Sequence, residues 1–123
     1  MSYKPNGYTD VSAYILVDDA QEVLSFLEQT FGAERLRNIE KTNGKGRHAE
    51  ARIGDSVVML GEGFGSQPTN VHVYVADVDA TYKRAIDAGG TSVQEPRQED
   101  DPDRRAAVTG ASQVTWWFAT QQS

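Results

Sequence analysis

The chain contains two histidines, and each sits in an alternating stretch beside groups that titrate or stack. In "RHAEARI", His48, Glu50 and Arg52 recur at every second residue, so on a β-strand they project from one face. In "NVHVYV", His72 and Tyr74 do the same. Three kinds of chemistry are open to these residues. His48, Glu50 and His72 together would make a two-histidine, one-carboxylate set able to hold a divalent cation. Glu50 or His72 would act as general base on an acidic C–H, with Arg52 as the obvious cation to polarise the substrate. Alternatively, Tyr14, Tyr74 and Trp117 would give stacking surface to a flat ligand, while Arg52, Glu50 and His72 supply polar specificity. The plainer reading is that the polar groups bond one another and the aromatics fill a cavity with no ligand.

Other chemistries fall away. There is no cysteine, which excludes disulfides, thiol catalysis and zinc-thiolate sites. No Ser/His/Asp arrangement is identifiable. The stretch "GEGFG" from Gly61 has the glycines of a dinucleotide loop but no helix after it, so it reads as a linker. "QEDDPDRR", from Gln98 to Arg105, concentrates charge and reads as a solvated turn. A formal net charge of −6 disfavours nucleic acid or an anionic membrane as partner. No apolar run approaches a membrane span, and the first ten residues lack a signal peptide's apolar core. A cytoplasmic location is therefore expected, without membrane contact. With 123 residues, 38 % hydrophobic and 24 % charged, the chain is expected to form a single folded domain, about residues 1–123.

These residues need elements to position them. "VSAYILV" alternates, with Val11, Ala13, Ile15 and Val17 on one face and Ser12, Tyr14 and Leu16 on the other. A helix follows over about Ala20–Phe31, opened by Asp19 three residues before Glu22 and closed by Gly32. Three strands come next, with turns at Asn43–Gly44 and Gly54–Asp55. After Pro68 the order repeats: an alternating strand, a helix over about Ala80–Ala88, then three strands. The repeats span about residues 8–62 and 68–121. Each would form a curved sheet with its helix on one face and a concave face open. In "TWWFAT", adjacent residues point to opposite faces, so Trp116 belongs to the core and Trp117 to the concave wall.

The ordered set "VDDAQEVLSFLEQTFGAE", "HAEARIGDSVVML", "VYVADVDATYKRAIDAGG", "DRRAAV" and "TWWFAT" resembles the vicinal oxygen chelate superfamily of glyoxalases, bleomycin-resistance proteins and extradiol dioxygenases, in particular its small glyoxalase-like members. The resemblance covers nearly the whole chain. It implies an α+β fold of two βαβββ units around a concave cavity, and a homodimer, in some relatives with exchanged units. It also implies a test of the metal. Metal-dependent relatives place one ligand each on the first, fourth, fifth and last strands, and the matching positions here are Ser12, Met59, Asn70 and Trp117. The turn before the last strand also departs from the family pattern, reading "GASQV". The resemblance therefore points to a protein with no metal or other cofactor that binds a small, aromatic or drug-like molecule through Tyr14, Glu50, Arg52, His72, Tyr74 and Trp117. An enzyme of lyase, isomerase or epimerase type, using Glu50 or His72 as base, is the alternative.

Overall fold

The computed structural model describes residues 2–40 and 46–122. The elements run β1 (Ala13–Val17), α1 (Ala20–Phe31), β2 (Glu34–Glu40), β3 (Arg47–Ile53), β4 (Ser56–Glu62), β5 (Thr69–Tyr74), α2 (Val78–Asp87), β6 (Thr91–Gln98), β7 (Asp103–Thr109) and β8 (Val114–Gln121). They build two four-stranded mixed sheets of the same topology, ordered β1-β4-β3-β2 and β5-β8-β7-β6. Only the β1–β4 and β5–β8 pairs are parallel. The fold is thus α+β, with two βαβββ units.

Local chemistry accounts for both helices. The Asp19 carboxylate accepts the Glu22 N–H at 3.1 Å, and Asp77 accepts the Ala80 N–H at the same distance. Gly32 ends α1 in the left-handed region at φ 66°, and its N–H bonds the Glu28 carbonyl. The Gly54–Asp55 turn joins β3 to β4, with Ile53 opposite Ser56. The Asn43–Gly44 turn lies outside the described residues.

The helix-facing residues of both sheets share one core. Val23, Leu24 and Leu27 of α1 are buried with Ile15, Val17 and Leu60 of the first sheet and with Trp116 and Phe118 of the second. The Phe31 ring joins the units, its centroid 5.7 Å from Trp116 and 5.9 Å from Phe118. The turn before β8 adds polar ties. Ser112, a non-glycine residue at φ 58°, accepts the Asp18 N–H, while Gln113 bonds Ser66 in the linker.

The first strand is shorter than its alternation implies. β1 begins at Ala13, and Val11 is exposed rather than part of the helix-facing row. Upstream, Tyr3 and Lys4 both bond the Asp10 carboxylate, and Tyr8 reaches Glu50 on the concave side.

Candidate functional site

Strand register decides which side chains share the concave surface. On the first sheet, Tyr14 pairs with Met59, Met59 with Glu50, and Leu16 and His48 with Gly61. On the second, Asn70 pairs with Thr115, His72 with Trp117, Tyr74 with Ala119, and Ala119 with Arg105. The six candidate residues therefore divide into two groups of three. Tyr14, Glu50 and Arg52 stand on the first sheet, and His72, Tyr74 and Trp117 on the second. Among the described residues no hydrogen bond or ring contact joins one group to the other.

The first group is covered in part. Glu50 is 2 % exposed although it projects from the concave face, and Tyr8 reaches over the sheet to bond it. One carboxylate oxygen accepts the Tyr8 hydroxyl and the other bonds His48 Nε2 at 2.7 Å. Burial alone would raise the Glu50 carboxyl, but the hydrogen bonds from Tyr8 and His48 prevail and hold it below the usual carboxylate range. Arg52 bonds the Gly7 carbonyl and, at 3.3 Å, Glu34. Tyr14 stacks on His48 with centroids 6.4 Å apart and remains 55 % exposed.

The second group is open. Trp117 forms part of a cavity of about 370 Å³ whose rim carries Gln94, Arg97, Asp101, Asp103 and Arg105. Arg105 organises this face. It bonds Asp101 and Asp103, each at 2.9 Å, and donates from Nε to His72 Nε2 at 3.2 Å. Asp103 also accepts the Tyr74 hydroxyl at 2.8 Å, and the His72 and Tyr74 rings meet edge to face. Partial burial and the neighbouring guanidinium push His72 below its ordinary value, against the pull of Asp103 and Asp101, so near neutral pH it is an uncharged acceptor. The hydrogen bond to Asp103, and then its charge, raise the Tyr74 phenol. In the "DR" pair only Asp103 reaches this rim; Arg104 points to the other face and binds Asp79 of α2 through two hydrogen bonds.

Sequence reasoning did not single out Tyr8 or Arg97, and it took Asp101 and Arg105 only as members of a charged turn. The alternation of "DRRAAV" places Asp103 and Arg105 on one face, which was the available signal for that pair. Tyr8 lies in a segment with no periodicity, and nothing local announces its partner.

The positions that the resemblance matches to the relatives' metal ligands do not suit a cation. Met59 and Trp117 are counterparts in the two units, each opposite the first or fifth strand, and Ser12 and Asn70 are counterparts two residues upstream of their partners. Met59 offers a thioether, Trp117 no lone pair, and the Asn70 amide oxygen already accepts the Trp117 indole N–H at 2.9 Å. Such a set does not fit a hard or borderline ion. Nor do His48, Glu50 and His72 converge. Among the described residues no three His, Asp or Glu side chains form a metal-holding group.

The family description "Glyoxalase/Bleomycin resistance protein/Dioxygenase superfamily" matches residues 10–118, and the chain belongs to that superfamily. An uncharacterized protein of Mycobacterium bovis is 33 % identical over 97 residues, covering 68 % of this chain and 64 % of its own length. An uncharacterized protein of Mycobacterium tuberculosis matches at 33 % over 97 residues, 68 % of this chain and 57 % of its own. The chain thus spans only about three fifths of these relatives. Among solved structures, glyoxalase I from Zea mays superposes with TM-score 0.78 and 16 % identity, over 91 % of this chain and 44 % of that one. TioX from Micromonospora sp. ML1 gives 0.73 and 23 % identity, over 90 % and 98 %. The fosfomycin resistance protein FosX from Listeria monocytogenes gives 0.73 and 15 %, over 91 % and 90 %. At these identities the superpositions establish the fold. No helix among the described residues is long and apolar enough to cross a membrane.

Proposed function

We propose that the protein binds a small polar ligand carrying a flat ring, without a metal, in the open cavity of the second sheet. One observation carries this reading: the side chain standing where the fold would place its last metal ligand is Trp117, whose ring walls a cavity of about 370 Å³. That volume lies within the ~300–1,000 Å³ of small-molecule sites. Trp117 supplies a face for stacking, and its indole N–H, held by Asn70, fixes the ring's orientation. Arg97, Gln94 and Arg105 supply directed donors at the rim, and Asp101 and Asp103 supply acceptors. The bleomycin-resistance branch of the family name is in keeping with a drug-sized ligand.

The geometry weakens the enzyme alternative. Both Glu50 oxygens are engaged and its carboxyl is held low, which makes it a poor base. His72 Nε2 already accepts the Arg105 N–H, so its free lone pair is occupied. The test is a thermal-shift series with planar aromatic amines and aromatic carboxylates. Melting temperature should climb with ligand concentration in the wild type by mass action and stay flat in Trp117→Ala. Equal shifts in the two proteins would place the ligand elsewhere and refute the reading.

A further inference from the structure

We propose that the concave face of the first sheet is a second binding site, selective for a phenol, and that Tyr8 of the same chain occupies it as a built-in ligand. The site is independent of the cavity beside Trp117.

The starting point is an anomaly of burial. Glu50 sits on the open face of a curved sheet, where a carboxylate is ordinarily solvated, yet its side chain is 1 % exposed. Removing a charge from water is tolerated only when its oxygens are paired. Here the pairing comes partly from outside the family module: the match to the family begins at residue 10, and Tyr8 and Gly7 precede it.

Tyr8 meets a set of directed contacts of the kind that hold a ligand. Its hydroxyl donates to the Glu50 carboxylate, a charge-assisted bond. The Arg37 guanidinium lies over its ring, 5.6 Å from the centroid, within cation–π range. Arg52 binds the carbonyl of the residue just before it. His48 holds the second Glu50 oxygen and so orients the carboxylate towards the phenol. An acceptor for the hydroxyl and a cation for the ring face together describe a phenol, and Arg52 holds the backbone that carries it. Burial raises the Tyr8 hydroxyl, and the Glu50 charge raises it further, so it stays a proton donor.

The tether explains why such a site stays closed. Residues 9–12 alone separate Tyr8 from β1, so the phenol is present at high effective concentration. Short flexible tethers give effective concentrations of roughly millimolar order. A free phenol must exceed that to displace Tyr8, unless the segment is lifted.

The experiment restores the missing side chain from solution. Tyr8→Gly removes the atoms of p-cresol, and p-cresol is added back to the full-length protein. Binding is read by calorimetry and by the His48 ring proton resonances, one of two histidine sets in the chain. In Tyr8→Gly, p-cresol should bind at least tenfold more tightly than in wild type, move the His48 resonances and raise the melting temperature. Methylating the hydroxyl (4-methylanisole) or adding Glu50→Gln should abolish the gain, whereas Trp117→Ala should leave it intact. Should Tyr8→Gly not fold, Gly7→Val is used to loosen the segment, because Gly7 has φ +81°, a backbone conformation that a β-branched residue resists. The same tenfold gain is then expected with Tyr8 still present. Equal affinity in variant and wild type, binding that survives Glu50→Gln, or binding lost in Trp117→Ala would each overturn the proposal.

Discussion

Trp116 has no accessible surface, and truncating it would leave a void shared by both units, because Phe31 of α1 rests on its ring. Trp116→Ala should therefore cost roughly 3–5 kcal/mol, measured by chemical denaturation, as for other buried large-to-small changes. Trp117→Ala removes a partly buried ring and one hydrogen bond, and should cost clearly less. A reversed order would mean that the faces of β8 had been exchanged. Period-2 alternation alone separates these two residues, and it was readable. His72 is the contrasting case. Its imidazole falls on the concave face as the alternation says, but its partner Arg105 comes from β7, and only the register of β5, β8 and β7 brings them together. That partner sets a sign. His72 titrates lower in the folded chain than its ordinary ~6.5. The unfolded chain then binds the extra proton first, so this contribution is complete above about pH 6.5 and is lost as pH falls towards the folded value. Glu50 acts in the same direction lower down, present above its ordinary ~4.3 and lost as pH drops through its lowered value. Stability measured against pH should decline below 6.5, and His72→Ala should flatten that upper part of the decline while leaving the lower part in place.

Among the elements, those with local punctuation were the most legible. Asp19, the apolar row Val23, Leu24 and Leu27, and Gly32 fix α1 within a single turn of chain, and its observed span is the expected one. The second helix starts at Val78, two residues before the expected Ala80, because Asp77 rather than a later residue takes the capping position. Asp19→Ala should lower stability by about 1 kcal/mol, the usual loss for an N-cap carboxylate, with far-ultraviolet helicity retained below the melting transition. An unchanged stability would mean that the Ala20 N–H bond to Glu62 already suffices to hold this helix start. The segment before β1 was less legible for a different reason. It has neither period nor cap, and its position over the first sheet depends on contacts between residues more than forty positions apart, such as Tyr8 with Glu50.

At the scale of the whole molecule, the two units share one topology and one core but no longer present equivalent concave faces. On the first, the N-terminal segment binds Glu50 and Arg52 while Tyr14 stays exposed, and the second is open around Trp117. This asymmetry bears on the metal. The resemblance implies a cation that would draw ligands from counterpart positions on both units, so the loss of donors on either side would defeat such a site. Here the counterparts Met59 and Trp117 are apolar, and Asn70 is committed to the Trp117 indole. Three or four N or O donors must converge at roughly 2.0–2.2 Å to retain a zinc-like ion. The protein purified without chelators should accordingly carry far less than one equivalent of metal by elemental analysis. Its melting temperature should not rise with zinc, nickel or manganese and should not fall on chelation. One equivalent that disappears in His48→Ala, Glu50→Gln or His72→Ala would show that the site had moved across the concave surface. In that case the general-base reading, with a cation to stabilise the developing charge, would displace the binding one.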